Sequence, residues 1–582
     1  MDRNYWLLII LFFLVSCSVN KNYNQTNLLK CEESQIIVDS NAFPSVKLAA
    51  KELQFYIKKI SNKLIPILNT SDPEKNYTIY VGESKYTRDL NITLNSQKEE
   101  IRIFSKDDFL VLIGKDSKFY INGPINKNYD DIDSVTSEWD KITNNKYGHP
   151  LNILFKNYSG KFDIWENETN GTLNAVYEYL HFLGVRWYFP GDLGEVLPTS
   201  KVILLPEINI SRKASFPVRN FYFYYQKYFM ANDEFLKWRL RLKNDNGAEI
   251  FGNIIDHGMS FVHSRDEFKK ANNDTYAIIN GNRDKSKFNY GTPCLSSEIF
   301  FDHHVDFLKK YFETFEENTM SIMPGDGFNT ICECNKCSIK NPNGLKNNIS
   351  DYLWGYINKV SKRVLKDVPN KSLSCFAYAT YLEPPSSILK FSKNLKLGIC
   401  YPINGRKDKE EFLLYKDLVL NWKEKLFNDS ILIWDYYLYT DNKRNYGKTP
   451  VLFTKFIDSE LRFLHSQNSY GKFIEVNCKD SNSDNKFSTL AYDHLNIYLS
   501  SRLLWNINES TDDIINEYFD LFYGPANSDI KTIFNYIENH WQEINELNYN
   551  ERILKDLEVA KKKTKEGSVY FKRIQLLINY FN

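Results

Sequence analysis

The chain has almost no net charge. Its 74 Lys and Arg balance 73 Asp and Glu to leave +1, which gives no reason to expect nucleic acid or an acidic polymer as a partner. No basic run, Gly-rich phosphate loop or recognition-helix pattern points that way either. The nine histidines form no H-E-x-x-H pair, and that zinc-hydrolase motif is therefore missing. Past residue 15 there is no run of 18 apolar residues, so nothing in the body of the chain reads as a spanning helix. Internal repeats are also missing. What is present fits a soluble globular protein, with 42% hydrophobic and 25% charged residues. At 582 residues the chain is too long for one ordinary core, so two to four domains are expected. Aromatics reach 15%, with 39 Tyr, 40 Phe and 10 Trp. Aromatic faces suit sugar rings, but Lys, Asn and Ile are inflated with them, as in A/T-biased coding, and the total assigns no function.

The N-terminus reads as a targeting segment. Asp2 and Arg3 precede an apolar run from Trp6 to Val15, too short to span a bilayer and suited to a signal-peptide core. Leu14-Val15-Ser16-Cys17 resembles a bacterial lipobox, in which the cysteine becomes the acylated N-terminus. This predicts a signal peptide over 1–17, lipidation at Cys17, a polar tether over 18–35, and a cell-envelope lipoprotein, periplasmic or surface-facing. An ordinary secretory signal with an incidental cysteine is the other reading. Export makes disulfides available to the eight remaining cysteines, of which only 332, 334 and 337 are clustered.

Residues 36–205 read as an α+β domain. Strands are expected at Ile36–Val38, Tyr77–Val81 and Phe109–Ile113. A helix begins near Ser45 with Val46, Ala49, Leu53, Tyr56, Ile57 and Ile60 at helical period. A second spans Thr172–Leu183 and ends at Gly184, which tolerates a left-handed cap. Residues 212–500 alternate β-like and helical stretches, which argues for a parallel sheet with helices outside. Eight strands are expected at Val218–Tyr225, Ile250–Ile255, Ala277–Asn280, Thr319–Met323, Leu373–Tyr378, Leu397–Tyr401, Ile431–Tyr436 and Phe473–Val476. Eight is the number a (β/α)8, TIM-like barrel needs. Residues 501–582 read as a helical C-terminal domain.

The most informative segment is Ser321–Cys337. An apolar run breaks at Pro324-Gly325, Asp326 follows between two glycines, and three cysteines then crowd into C-x-C-x-x-C. A strand ending in a tight Gly turn presents its next side chain at the carboxyl end of a sheet, where α/β enzymes keep their chemistry. With Cys294, the cysteines Cys332, Cys334 and Cys337 would make a four-thiolate structural zinc site. Disulfides are the alternative. Both readings pin the loop that carries Asp326, and no cofactor is required for the chemistry.

Several motifs follow one another in the order of a known family. Gly184-Val-Arg186-Trp187-Tyr-Phe-Pro190-Gly191 looks like the end of the N-terminal domain that precedes the barrel in bacterial hexosaminidases and α-glucuronidases. Then come Pro324-Gly-Asp326-Gly with its cysteines, Ser350-Asp351-Tyr352, Ala377-Tyr378 with Glu383-Pro384-Pro385, Ile433-Trp434-Asp435-Tyr436, and Leu504-Trp505 with Tyr523-Gly524-Pro525-Ala526. Over about residues 36–540 the chain resembles the family long called domain of unknown function 4838. That family is similar to glycoside hydrolase family 163, whose described members are endo-β-N-acetylglucosaminidases acting on complex N-glycans. The resemblance implies a glycosidase, retaining through participation of a 2-acetamido group, with a glycan or glycoprotein as substrate. The alternatives are an α-glucuronidase-like or other glycan hydrolase, or a glycan-binding lipoprotein without catalysis. Two departures stand out. Asp326 is followed by Gly327 rather than by the Glu of the family 20 Asp-Glu pair, and Gly325 stands where many relatives are expected to have Asn.

Glycoside cleavage normally needs two carboxyl groups. Asp326, Asp435 and Glu475 lie just past, or near the end of, the fourth, seventh and eighth expected strands. Asp326 is the expected acetamido-orienting or acid residue and Glu475 its partner, with Asp435 a third catalytic candidate or a ligand for sugar hydroxyls. The structural alternatives are a self-bonded turn residue for Asp326 and a buried ion-pair partner, to an Arg of the first strand, for Glu475. His257 and Arg219 are substrate-binding candidates, against a structural His bonded to a carbonyl and an Arg paired with a barrel acid. Tyr378, Tyr381, Trp434 and Tyr436 are candidates to stack on or hydrogen-bond a sugar, against plain core packing.

Overall fold

The structure is a computed structural model that describes residues 26–94, 100–117, 132–150, 169–223, 233–245, 248–252, 257–286, 291–315, 317–340, 349–401, 409–428, 430–438, 452–476, 490–540 and 549–581. Cys17, the signal segment and most of the tether lie outside the described residues. No described helix is long and apolar enough to cross a membrane.

The chain divides into two compact units. One holds the residues up to Lys115, with Gly171–Gly184 and Pro198–Arg212; the other holds Asp116–Asn170, Val185–Leu197 and everything from Lys213 on. The last division, between Arg212 and Lys213, lies next to residue 212, the expected start of the barrel, and the C-terminal helices group with the parallel sheet.

The first unit is a six-stranded mixed sheet in the order 209–212, 101–106, 109–114, 77–81, 34–37, 67–68. Helices Pro44–Ser61 and Gly171–Phe182 pack together beside it. The first helix buries Val46, Ala49, Leu53, Tyr56, Ile57 and Ile60, the positions its period singles out. Gly184 follows the second at a φ of +94°.

In the second unit a curled, all-parallel sheet is built from β1 (Val218–Phe223), β2 (Thr319–Ser321), β3 (Ser372–Ala377), β4 (Leu395–Tyr401), β5 (Ile431–Leu438) and β6 (Gly471–Val476). The strand order is β1-β6-β5-β4-β3-β2. First and last strands are neighbours, as in a closed barrel, yet among the described residues the sheet has six strands rather than eight. Ile250 and Phe251, the start of the expected second strand, belong to the helical turn Ala248–Phe251; residues 253–256 lie outside the described ones. The expected third strand is a hairpin instead: Ile278–Ile279 pairs antiparallel with Asn282–Arg283. Asn280 and Gly281 both have positive φ, the requirement of a type I′ turn, for which Asn-Gly is the favoured pair.

Outside the sheet lie helices α1 (Glu298–Thr314), α2 (Ile349–Asp367) and α3 (Thr454–Ser466). After β6 come α4 (Leu490–Trp505), α5 (Thr511–Tyr523) and, among the described residues, three further α-helices ending at Phe581. The Arg-Trp-Tyr motif works as a clamp on α5. Arg186 donates from Nε and Nη2 to both oxygens of Glu517 at 2.6 Å each, and Tyr188 packs among Tyr498, Tyr518 and Phe522.

Candidate active site

Alternation along the strands sorts the side chains. On β5, Trp434 and Tyr436 face one way and Asp435 the other; on β6, Phe473 and Glu475 face one way and Lys472 the other. The interior face carries an aromatic series. Tyr222 stacks on Phe473 at 5.5 Å, Phe473 lies 4.2 Å from Trp434, and Trp434 meets Phe376 edge-on at 5.3 Å. Gly398 on β4 makes room for this series, since a Cβ there would stand 2.0 Å from Phe376 Cε1. Above it, the Trp434 indole N–H donates to Glu475 Oε1 at 2.9 Å. Glu475 is buried, whereas Trp434 and Tyr436 are half-buried.

Asp326 is exposed, in the turn that follows β2. It lines a pocket of about 540 Å³ with the hairpin segment from Ile279 to Pro293 on one side and the 325–330 turn on the other. The second pocket acid, Asp284, was not foreseen. It accepts hydrogen bonds from Thr292 N and Oγ1 and from Ser286 N. Burial opposes its ionisation, but these bonds outweigh it and hold the pKa below the usual value. Asp284 thus ties Ser286 to Thr292, while Lys285 and Arg283, the latter ion-paired with Asp274, also line the pocket.

Cys400 is a buried thiol near the carboxyl end of β4. Burial pushes its pKa well above the ordinary range, and the charges of Glu475 and Asp326 both add to the rise, against a hydrogen bond with Tyr436. Tyr436 is raised by burial first, then by Cys400, Glu475 and Tyr378. By chain position, Glu475, Trp434 and Tyr436 stand near the carboxyl ends of β6 and β5, Tyr378 directly after β3, and Asp326 in the turn after β2, all at one end of the parallel sheet.

Other expected site residues are placed elsewhere. Asp435 is fully buried and ion-pairs with Lys472, which also pairs with Glu460 of α3. It faces the helical layer because its two strand neighbours face inward. Arg219 is 1% exposed, donates to the Lys243 and Phe216 carbonyls, and lies over the Trp505 ring; it is a packing residue on the outer face. Tyr381 is fully buried, packed edge-on against Phe328 and Tyr378, so its ring offers a sugar no open face. His257 is half-buried and donates from Nδ1 to the Pro324 carbonyl at 2.6 Å. That bond steadies the turn bearing Asp326 and leaves Nε2 as the nitrogen for other partners. The Ser350-Asp351-Tyr352 motif is structural: Asp351 accepts from Ser386 and Ser387, and the Tyr352 hydroxyl accepts from Leu295 N.

The four expected thiols do come together. The sulfurs of Cys294, Cys332, Cys334 and Cys337 all lie within 4.8 Å of one another.

One buried acid escaped the sequence reading. Asp493, in the first turn of α4, is raised by burial to about 8. An ordinary Asp titrates near 3.9 when unfolded, so the folded state holds the proton more tightly. Its contribution to stability is present in full below about pH 4 and is lost as pH rises towards 8. Asp493→Asn is therefore expected to raise the melting temperature little at pH 4 and progressively more up to pH 8. Melting curves across that range check this; a difference independent of pH would refute it.

A family model described as "Domain of unknown function (DUF4838)" matches residues 189–535, which include Asp326, Glu475 and the four cysteines. No curated protein matches the chain by sequence. Among solved structures, a family GH115 4-O-methyl-α-glucuronidase with specificity for decorated arabinogalactans is similar with a TM-score of 0.55 and 13% identity, over 96% of this chain and 72% of that one. A GH20 exo-β-N-acetylglucosaminidase from Vibrio harveyi gives a TM-score of 0.39 at 8% identity, over 86% and 75%. The GH20 β-N-acetylhexosaminidase of Streptomyces coelicolor A3(2) gives 0.39 at 8%, over 86% and 92%. The first likeness is one of fold: a mixed α/β chain with a curled parallel sheet, shared with a glycoside hydrolase.

Proposed function

We propose that this chain, which belongs to the DUF4838 family, is a glycoside hydrolase whose working carboxyl groups are Asp326 and Glu475. The observation that carries the reading is geometric: Glu475, hydrogen-bonded at 2.9 Å by Trp434 Nε1, stands at the carboxyl end of the same parallel sheet whose β2 strand is followed by the turn bearing Asp326. Two carboxyl groups near one aromatic-walled site are what glycoside cleavage needs. A sugar ring can lie against the Trp434 and Tyr436 rings, with its polar edge towards Glu475. The finer reading is an endo-β-N-acetylglucosaminidase-like enzyme acting on N-glycans. In that reaction the substrate's own 2-acetamido oxygen attacks the anomeric carbon, one carboxylate orients the amide, and the other group protonates the leaving oxygen.

A second reading has its own support. Arg283 and Lys285 line the pocket with Asp284 and Asp326; Arg283 also pairs with Asp274, and Lys285 would suit the carboxylate of a uronic acid. The purified protein should therefore be given a complex N-glycoprotein and, separately, a uronate-capped arabinogalactan. Release of oligosaccharide with a new reducing-end N-acetylglucosamine is the expected result. Release of uronic acid alone would replace the first reading with the second. Cleavage of neither, with glycan binding retained, would remove the enzyme reading.

A further inference from the structure

From the arrangement of Cys294, Cys332, Cys334 and Cys337 we propose a four-thiolate structural zinc site that ties the Asp326 loop to the hairpin forming the opposite wall of the pocket. The proposal stands on the thiol geometry and does not rest on the glycosidase reading.

Tetrahedral zinc with Zn–S bonds of about 2.3 Å places its sulfurs about 3.8 Å apart. Cys294 Sγ lies 3.7 Å from both Cys334 Sγ and Cys337 Sγ, and all six separations among the four sulfurs stay within 4.8 Å. A disulfide brings sulfurs together in pairs at about 2.05 Å. It gives no reason for one sulfur to stand equally far from two others, whereas one central ion does. Three of the four cysteines are buried and Cys334 is half-buried, so the cluster is closed rather than open to solvent. Among the described residues no histidine or carboxylate joins the set, and four protein ligands leave no position for a substrate. Both features mark a structural rather than a catalytic ion.

The surroundings supply hydrogen bonds of the kind that support thiolate charge. Ile278 N and Cys334 N both donate to Cys332 Sγ, at 3.2 and 3.5 Å. The Tyr352 hydroxyl accepts from Leu295 N at 3.1 Å and stands 3.3 Å from Cys337 Sγ, where it can give that sulfur its own hydrogen. Between two of the ligands, Glu333 reaches across to the hairpin. Its carboxylate accepts from Asn280 N and Gly281 N at 3.0 and 2.9 Å, and its N–H donates to the Ile278 carbonyl at 2.9 Å.

The ligands therefore come from two chain segments on opposite sides of the pocket. Cys294 follows directly after the 279–293 wall, and Cys332 follows the 325–330 wall. Binding one ion fixes the distance between the walls, and the ion is a brace rather than a reactant.

The test starts with the unmodified protein, purified without chelator, and metal analysis with a thiol count under native and chelated, denatured conditions. About one zinc ion per chain is expected, with the four thiols shielded until a chelator removes the metal. Cobalt(II) exchanged into the site should give the intense visible bands of a tetrahedral tetrathiolate. Cys334→Ser, at the most exposed ligand, should lower retained zinc at least about tenfold, while Cys375→Ser, at a buried thiol outside the cluster, should keep it. Less than about a tenth of an ion per chain, with the four residues found as two disulfides or as freely reactive thiols, would overturn the proposal. The wild-type measurement decides the question even if a variant fails to fold.

Discussion

Glu475→Gln is expected to lower glycan hydrolysis by at least ~10²-fold, the usual scale for losing an acid–base group, with little change in folding. The reason is the hydrogen bond from Trp434 Nε1 to Glu475 Oε1. A Gln side chain keeps an oxygen for that N–H and the same shape against Phe473 and Trp434. It loses only the negative charge and the exchangeable proton. Asp326→Asn should behave likewise, since the residue sits in an exposed turn whose neighbours stay in place. The pair is read by rate against melting temperature: activity falls and stability holds. Full activity in either variant would remove that residue from the chemistry, and a large loss of stability in Glu475→Gln would recast it as packing.

Lys472→Met is expected to do the reverse, costing about 3–5 kcal/mol of stability. Lys472 is 1% exposed and ion-pairs with both Asp435 and Glu460, each fully buried. Removing this cation deprives two carboxylates of their shared ion-pair partner in a place where water cannot solvate them, which destabilises the fold or protonates them. Replacing all three residues together by apolar ones of similar volume should recover most of the loss, because the desolvation penalty then disappears with the charges. Urea unfolding measures both. A single-variant cost under about 1 kcal/mol would show that the triad is solvated. The same chemistry predicts that Asp435→Asn, though one strand position from Trp434, acts on stability rather than on the reacting sugar.

Much of the scaffold could be read from the chain because burial imposes a period. The helix over 44–61, the strand over 77–81 and the parallel strands from Thr319 onward all show it, and Gly184 closes its helix where a left-handed cap is needed. Local period says nothing of pairing, and that is where the reading failed. Ile278 and Ile279 look like any short apolar strand. Only Asn280-Gly281 marks them as half of a hairpin, and that pair went unread. The strand at 101–106 alternates buried and half-buried residues and was also passed over, since Arg102 and Ser105 dilute its hydrophobicity. At the site, alternation along β5 and β6 places Asp435 and Glu475 on opposite faces, yet the sequence reading kept both as catalytic candidates. It could not reveal that Asp435 and Glu460, 25 positions apart, would share one lysine. Asp493 carried no local signal, because its shifted protonation comes from the surrounding fold.

The hairpin has a consequence for how the binding face can change over evolutionary time. It forms one side of the pocket yet contributes no strand to the parallel sheet, so its sequence is not constrained by barrel register or by the aromatic series inside. Under the proposed function, substitutions at Asn282, Arg283 and Lys285, which line the pocket, would alter what the pocket admits while the strands beneath stay unchanged. In such a design, selectivity is a replaceable part, and relatives with the same strands can be expected to diverge there first.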